Sequence, residues 1–197
     1  MDLRKEIAEL TPHMIEMRRD FHAHPEVGTK EFRTSQIIED ELKSLGMDVR
    51  RCCGTGVIGV LKGGKPGKTL YFRSDIDALP VQEETGLPFA SENPGVMHAC
   101  GHDNHMACLL TTARLMANHR DEIPGTLVFL FQTNEEDAGA QDMIDAGALD
   151  DPRPDASSVS PPSKGIEQTG IPLAWNSAMI FLRYDARGTN ASCAFGS

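Results

Sequence analysis

Apolar positions along the chain fall into two periods. Near the N-terminus Leu3, Ile7, Leu10, Met14, Ile15 and Met17 recur at three- and four-residue spacing, which predicts a helix over residues 2–22. Pro25 and Gly28 in "HPEVG" break it. A second helical stripe, Ile37, Ile38, Leu42 and Leu45, predicts a helix from Thr34 to Leu45, with Gly46 as its stop. The pattern then shortens. "MDVRRCC" and "GVIGVLKG" read as strands joined by a glycine-rich turn at Gly54–Gly56. "GGKPGK" (63–68) reads as a turn and "TLYFRSDIDA" as an apolar strand. Residues 79–97 form a loop of a length that is usually functional or disordered. Helical spacing returns in "MACLLTTARLMANHR", followed by the buried strand "GTLVFLFQ" (125–132) and the short helix "GAQDMIDAGAL".

This order predicts an α/β protein, an αβα sandwich around a mostly parallel or mixed sheet. Sites in such sheets gather beyond the carboxyl ends of strands. Two chemically rich segments fall there, "RSDID" after "TLYF" and "QTNEED" after "GTLVFLF". Residues 151–177 are rich in Pro and Ser and read as a loop or linker. "AMIFLRYDARG" (178–188) reads as one further strand, which cannot form a domain alone. The residues by themselves give one α/β unit over 1–177, loop-like over its last part, and an isolated strand after it.

Composition narrows the function. A formal net charge of −10 opposes nonspecific binding to nucleic acid or anionic membrane. No apolar run approaches the length of a membrane span. The charged, helix-periodic N-terminus lacks the apolar core of a signal peptide, so a cytoplasmic location is expected. Five cysteines in 197 residues do not suggest a disulfide framework. Cys52 and Cys53 are adjacent at a strand end, and Cys108 reads as a small buried residue on a helix.

The segment His98–His105, "HACGHDNH", holds three of the chain's seven histidines beside Cys100 and Asp103. Three readings are open: a metal site, a thiol nucleophile with its base, and a polar loop. Cys100 and His102 can point to one centre, Asp103 can cap the helix beginning near Asn104, and the helix N-terminus would favour a thiolate. Two donors hold a metal poorly, and Glu135 and Glu136 offer the missing carboxylates. In an extended segment these two would point to opposite sides, one toward a metal and one toward substrate. As a nucleophile Cys100 would need His102 or His98 as base, with Asp103 behind. By themselves Glu135 and Glu136 also fit a solvated acidic turn. Asp75 and Asp77 fit either strand-end caps or site residues. His13, His22 and His24 read as surface or helix-end residues, and His119 as a complement to a helix dipole.

Taken together, "MRRDFHAHPEVGTKEFRTSQII", "YFRSDIDALPVQEETGLPFAS", "GVMHACGHDNHMACLL" and "GTLVFLFQTNEEDAGAQDMIDAGAL" resemble the metallo-amidohydrolases of the M20 peptidase family, in the branch of N-acyl-amino-acid, hippurate and auxin-conjugate hydrolases. The resemblance runs from about residue 13 to about residue 155 and implies a zinc-peptidase-like catalytic domain. It implies Cys100, His102 and Glu136 as ligands to two divalent ions (Zn, Mn, Co or Ni), with Cys100 as a candidate bridge. Glu135 would be the general base for a metal-activated water attacking the amide of a small N-acyl amino acid. Asp77 and Asp103 would support the ligands from behind. The resemblance makes residues 1–177 a partial catalytic domain and 178–197 the truncated start of a lid and dimerisation domain. Family members often dimerise through that lid, an expectation that does not transfer to this chain, so a homo-oligomer stays open, with neither nucleic acid nor membrane as partner. The sequence departs from the pattern at the family's later histidines. "DASSVSPPS" lacks one of them, and no histidine follows His119. "ARGTNASCAFGS" places Asn190 and Phe195 at two more. The alternative is a catalytically impaired fragment or paralogue that binds metal weakly or serves as an interaction subunit.

Overall fold

The apolar run at 125–132 forms strand β4 (Pro124–Gln132), and its period of two sorts its side chains onto two cores. Leu127, Phe129 and Phe131 enter one core, with Phe21, Ile38, Leu42, Met106 and Leu110 from the helices. Val128 and Leu130 enter the other, with Cys52, Ile58, Tyr71 and Met143. A computed structural model describes residues 3–159. The rest of the predicted linker and the strand and second unit expected at 178–197 lie outside the described residues.

Helices α1 (Leu3–Ala23), α2 (Phe32–Ser44) and α3 (His102–Asn118) supply the first core, and α4 (Ala140–Asp145) covers the second. Between them lies a mixed five-stranded sheet in the order β1-β2-β4-β3-β5. Its other strands are β1 (Asp48–Cys52), β2 (Gly56–Lys62), β3 (Lys65–Asp75) and β5 (Ala156–Val159). β1 pairs antiparallel with β2 and β2 with β4, whereas β3 runs parallel to β4 and to β5. The expected αβα sandwich with a mixed sheet is the observed one.

Several boundaries moved. The predicted turn at 63–68 is largely strand, because β3 already pairs Lys65 with Pro124 before shifting register to Thr69. Gly125 makes this close approach, at φ 85°, where a Cβ would stand 2.0 Å from the Lys68 carbonyl oxygen. Part of the stretch read as linker forms β5, whose four residues, Ala-Ser-Ser-Val, are too few to show strand alternation. In α1 the buried positions are Ile7, Met14 and Phe21, with His22 and Ala23, while Leu3 and Ile15 of the predicted stripe are exposed.

The parallel pairing of β3 and β4 is what builds a site. It aligns Asp75 with Gln132, so the two strands release their chains side by side at their carboxyl ends. The 79–97 loop closes on itself there, through reciprocal 3.0 Å bonds between Leu79 and Met97. That closure returns the chain to the sheet end just before His98.

α1 is tied to the far end of α3 by a polar clasp. His119 follows the last turn of α3, and its Nε2 lies 2.6 Å from Glu6 Oε2, while Asn118 donates to Glu6 Oε1 at 2.7 Å. The hydrogen bonds from Asn118 and His119 hold Glu6 below the usual carboxylate range, and the bond to Glu6 raises His119. The His119 contribution to stability is complete below 6.5 and fades as pH rises through its raised value. The Glu6 contribution is complete above 4.5 and fades as pH falls through its lowered value. The urea midpoint of the wild type should therefore exceed that of His119→Ala most between those limits. A gap independent of pH would show that the clasp is not ionic.

Candidate metal centre

Cys100 and His102 reach the sheet end through a single left-handed residue. Gly101, at φ 88°, is the residue before α3, and it turns the chain so that His102 opens the helix. The His102 imidazole is buried, and its Nδ1 lies 2.8 Å from the backbone oxygen of Asp77. A carbonyl can only accept, so Nδ1 carries the proton and Nε2 is the atom turned to the cleft. Asp77 Oδ1 stands 3.3 Å from the same Nδ1, and Asp77 Oδ2 accepts the Glu136 N–H at 3.0 Å. One buried aspartate thus fixes both the imidazole and the turn that carries the glutamates.

Glu135–Asp137 form a short 3-10 turn directly after β4, with Asn134 before it in a left-handed conformation at φ 55°. Glu135 and Glu136 are therefore not in an extended segment, as the sequence suggested. Both approach one imidazole: His102 Nε2 is 3.8 Å from Glu135 Oε2 and 4.0 Å from Glu136 Oε1. Those separations exceed a hydrogen bond. Donor atoms of Cys100, His102 and Glu136 all lie within 4.8 Å of one another, as do those of Asp75, His102 and Glu135. An ion ligated at about 2.0–2.3 Å bridges gaps of this size. Thiolate, imidazole and carboxylate are also the donor set of zinc-like ions. The residues present fit a divalent cation, with His102 common to both groups.

The electrostatics point the same way. Burial would lower the His102 pKa, but its bonds to Asp77 and the Asp75 charge overcome this and raise it to about 9. Burial and the Asp75 carboxylate raise Glu135. The Cys100 thiol is pushed up to about 11 by burial, its hydrogen bond to Glu136 and the surrounding carboxylates. This corrects the expectation that the helix N-terminus would favour a thiolate, and it weighs against Cys100 as a free nucleophile. A cation among these acids would invert the balance, since a coordinated thiol is deprotonated outright.

Asp103 behaves differently from its expected role as a cap. α3 has no side-chain cap, and the Asp103 carboxylate lies inside the first turn, buried against His22 Nδ1 at 2.8 Å and Arg18 Nε at 2.8 Å. It touches none of the candidate donors through these bonds. His22, read from the sequence as a surface or helix-end residue, is buried at the end of α1, and its Nε2 meets Glu83 Oε1 at 3.2 Å. His98 is buried with both ring nitrogens unpartnered, and burial depresses it to about 4. Arg73 was not singled out from sequence. It bonds Asp75 Oδ1 at 2.8 Å and stands 3.8 Å from Glu135, and its place in "RSDID" was the available signal.

An αβα sandwich that gathers thiol, imidazole and carboxylates at the joint carboxyl end of two parallel strands has the form of a metallohydrolase half-site. The chain belongs to peptidase family M20/M25/M40, whose model matches residues 71–179, more than half of it. It is 44% identical over 152 residues to thermostable carboxypeptidase 1 of Saccharolobus solfataricus, covering 75% of this chain and 39% of that one. It is also 44% identical over 152 residues to an N-acyl-L-amino acid amidohydrolase of Geobacillus stearothermophilus, covering 76% of this chain and 41% of the relative. Among solved structures it resembles the YxeP protein of Bacillus subtilis, described as a dinuclear metal-binding peptidase of the M20 family. That match has a TM-score of 0.69 and 43% identity, covering 72% of this chain and 40% of that one. The chain thus spans about two fifths of the length of the relatives it matches.

Proposed function

We propose that this chain carries the first part of a metal-dependent amidohydrolase centre, acting on the amide bond of small N-acyl amino acids. The observation that carries the reading is the meeting of Cys100, His102 and Glu136 with Asp75 and Glu135 at one sheet end, with His102 oriented by Asp77. The substrate class is supported by the name of the Geobacillus relative. Cys100, His102 and Glu136 would hold one divalent ion (Zn, Mn, Co or Ni), His102 through Nε2 alone; a second ion would share Cys100 and take its remaining donors from elsewhere, with Asp75 and Glu135 the carboxylates nearest to it. When bound, such ions polarise a carbonyl and make water acidic enough to attack at neutral pH.

The chain's own residues do the rest. Asp77 holds the His102 tautomer and, through the Glu136 N–H, the angle of the glutamate turn. Glu135 lies beside the donors and is partly exposed to the cleft, where it can receive the proton of an attacking water. Burial and the Asp75 charge raise it above the ordinary carboxylate value, which makes it a stronger proton acceptor. Arg73 sits across from it and steadies the carboxylate.

A second reading has its own observation. Within the given stretch, "DASSVSPPS" has no histidine, and Asn190 and Phe195 stand at positions where the family pattern has histidines. Under it the chain holds metal at a half-site without turnover, unless another chain completes the ligands. One experiment separates the two. The chain loaded with Mn, Co, Ni or Zn is assayed on N-acetyl and N-benzoyl amino acids against Glu135→Gln. Hydrolysis in the wild type, reduced about 100-fold or more in the variant, is the expected result for an active centre. Equal background rates in both, with metal bound, would leave only the half-site.

A further inference from the structure

The turn that presents Glu135 and Glu136 is held on one side by Asp77. On the other it is held by a carboxylate that no site motif contains. Glu31 is completely buried. Its Oε1 accepts the Asn134 N–H at 3.0 Å and lies 2.8 Å from Thr133 Oγ1, while its Oε2 accepts from Thr55 Oγ1 at 2.6 Å. The two threonine oxygens are themselves 2.8 Å apart. Their two protons can reach Glu31 separately or in relay, and in both cases the carboxylate is the final acceptor.

Glu31 immediately precedes α2, where an acidic side chain would be expected to cap the helix. It makes no cap bond there. The free N–H groups of Arg33 and Thr34 go to the Glu26 carboxylate instead, at 3.1 and 2.8 Å. The Glu31 carboxylate is therefore left to the glutamate turn. Its segment also grips the other half of the site: Ala78, next to Asp77, donates its N–H to the Glu26 backbone carbonyl at 2.8 Å. Gly28 lies so close beneath the turn that a Cβ there would stand 2.0 Å from Asn134 Oδ1. An apolar residue could fill the volume of Glu31. It could not anchor the N–H of a left-handed residue one position before the candidate base.

We propose that Glu31 is a positioning residue of the metal centre, setting the Glu135–Glu136 turn through Thr133 and Asn134; this rests on the metal-site reading above. The test compares the wild-type chain with Glu31→Ala, Glu31→Gln and Thr55→Val. Two quantities are read: amide exchange at Asn134 in the metal-free protein, and cobalt(II) affinity with its thiolate-to-cobalt absorption. Glu31→Ala should speed Asn134 exchange about 10-fold or more and weaken cobalt binding about 10–100-fold, as losses behind a ligand do. Glu31→Gln keeps an oxygen for the Asn134 N–H, and its amide can donate to the threonine oxygens. It should stay within about threefold of wild type on both readouts. Thr55→Val removes a donor from the same buried carboxylate but not the turn contact. It should lose stability yet bind cobalt within about threefold of wild type. Wild-type affinity and absorption in Glu31→Ala would overturn the proposal, as would a loss in Thr55→Val equal to that in Glu31→Ala. A wild-type chain that takes up no cobalt would overturn the metal reading and this proposal with it.

Discussion

Replacing His102 with alanine should remove all bound metal from the chain, the largest functional effect of any single side chain at the site. His102 belongs to both the Cys100–Glu136 group and the Asp75–Glu135 group, so its loss breaks whichever of the two holds its ion. Loss of Cys100 spares the second group and loss of Asp75 spares the first. After dialysis against equimolar Zn or Co, elemental analysis should find metal in the wild type and none in His102→Ala. An affinity loss of about 100-fold or more is expected for a ligand bond, above the range for groups behind a ligand. The substitution also strips Asp77 of its imidazole partner, which costs about 1–3 kcal/mol in a buried site. Thermal unfolding of the metal-free proteins therefore has to accompany the measurement. A folded His102→Ala chain that keeps stoichiometric metal would show that the ion, if any, sits elsewhere. Cys100→Ala is the graded control, expected to weaken binding without abolishing it.

How much of this was legible in the sequence depended on range. β4 could be read to within a residue, because its apolar run is local and both faces are buried. The carboxyl-end placement of Asp75, Asp77, Glu135 and Glu136 followed from the strand order. The reach of both glutamates to His102 did not, because it depends on the left-handed Asn134 and the 3-10 turn after it. β5 escaped because Ala156–Val159, two serines between two small apolar residues at the edge of the described sheet, needs a neighbouring strand more than a pattern of its own. Glu31 and His22 escaped for a third reason. Each is a polar residue buried by partners 102 and 81 positions away, and a single sequence shows such a residue only as an acid or a histidine near a helix end.

His22 carries the second large effect, this time on stability. Its two ring nitrogens face two carboxylates, Asp103 at 2.8 Å and Glu83 at 3.2 Å, and only a doubly protonated ring can donate to both. The hydrogen bond to Asp103, then that to Glu83, outweigh burial and raise the imidazole pKa. Glu83 in turn accepts the Ser91 N–H at 2.6 Å, so His22 joins the end of α1, the first turn of α3 and the long 79–97 loop. Phe89 from that loop packs edge-on against the ring, with Arg18 and Arg19 over its face. Alanine at this position would leave two buried carboxylates, one of them with Arg18 as its remaining ion-pair partner among the described residues. Breaking such a buried set by removing one member costs about 3–5 kcal/mol. In a chain of this size that lowers the melting temperature by roughly 6–20 °C. His24, two residues on and one-third exposed, makes one side-chain hydrogen bond, to the Asp20 backbone oxygen, and looser contacts to the exposed Asp20 and Glu92 carboxylates, and should cost about 1 kcal/mol or less. Differential scanning calorimetry of both variants at about pH 6, below the ordinary histidine value, reads the comparison with His22 fully charged. Equal melting temperatures for the two would mean that the loop and the α3 start are held by packing alone. In that case the Cys100–His102 segment would not depend on α1 for its position.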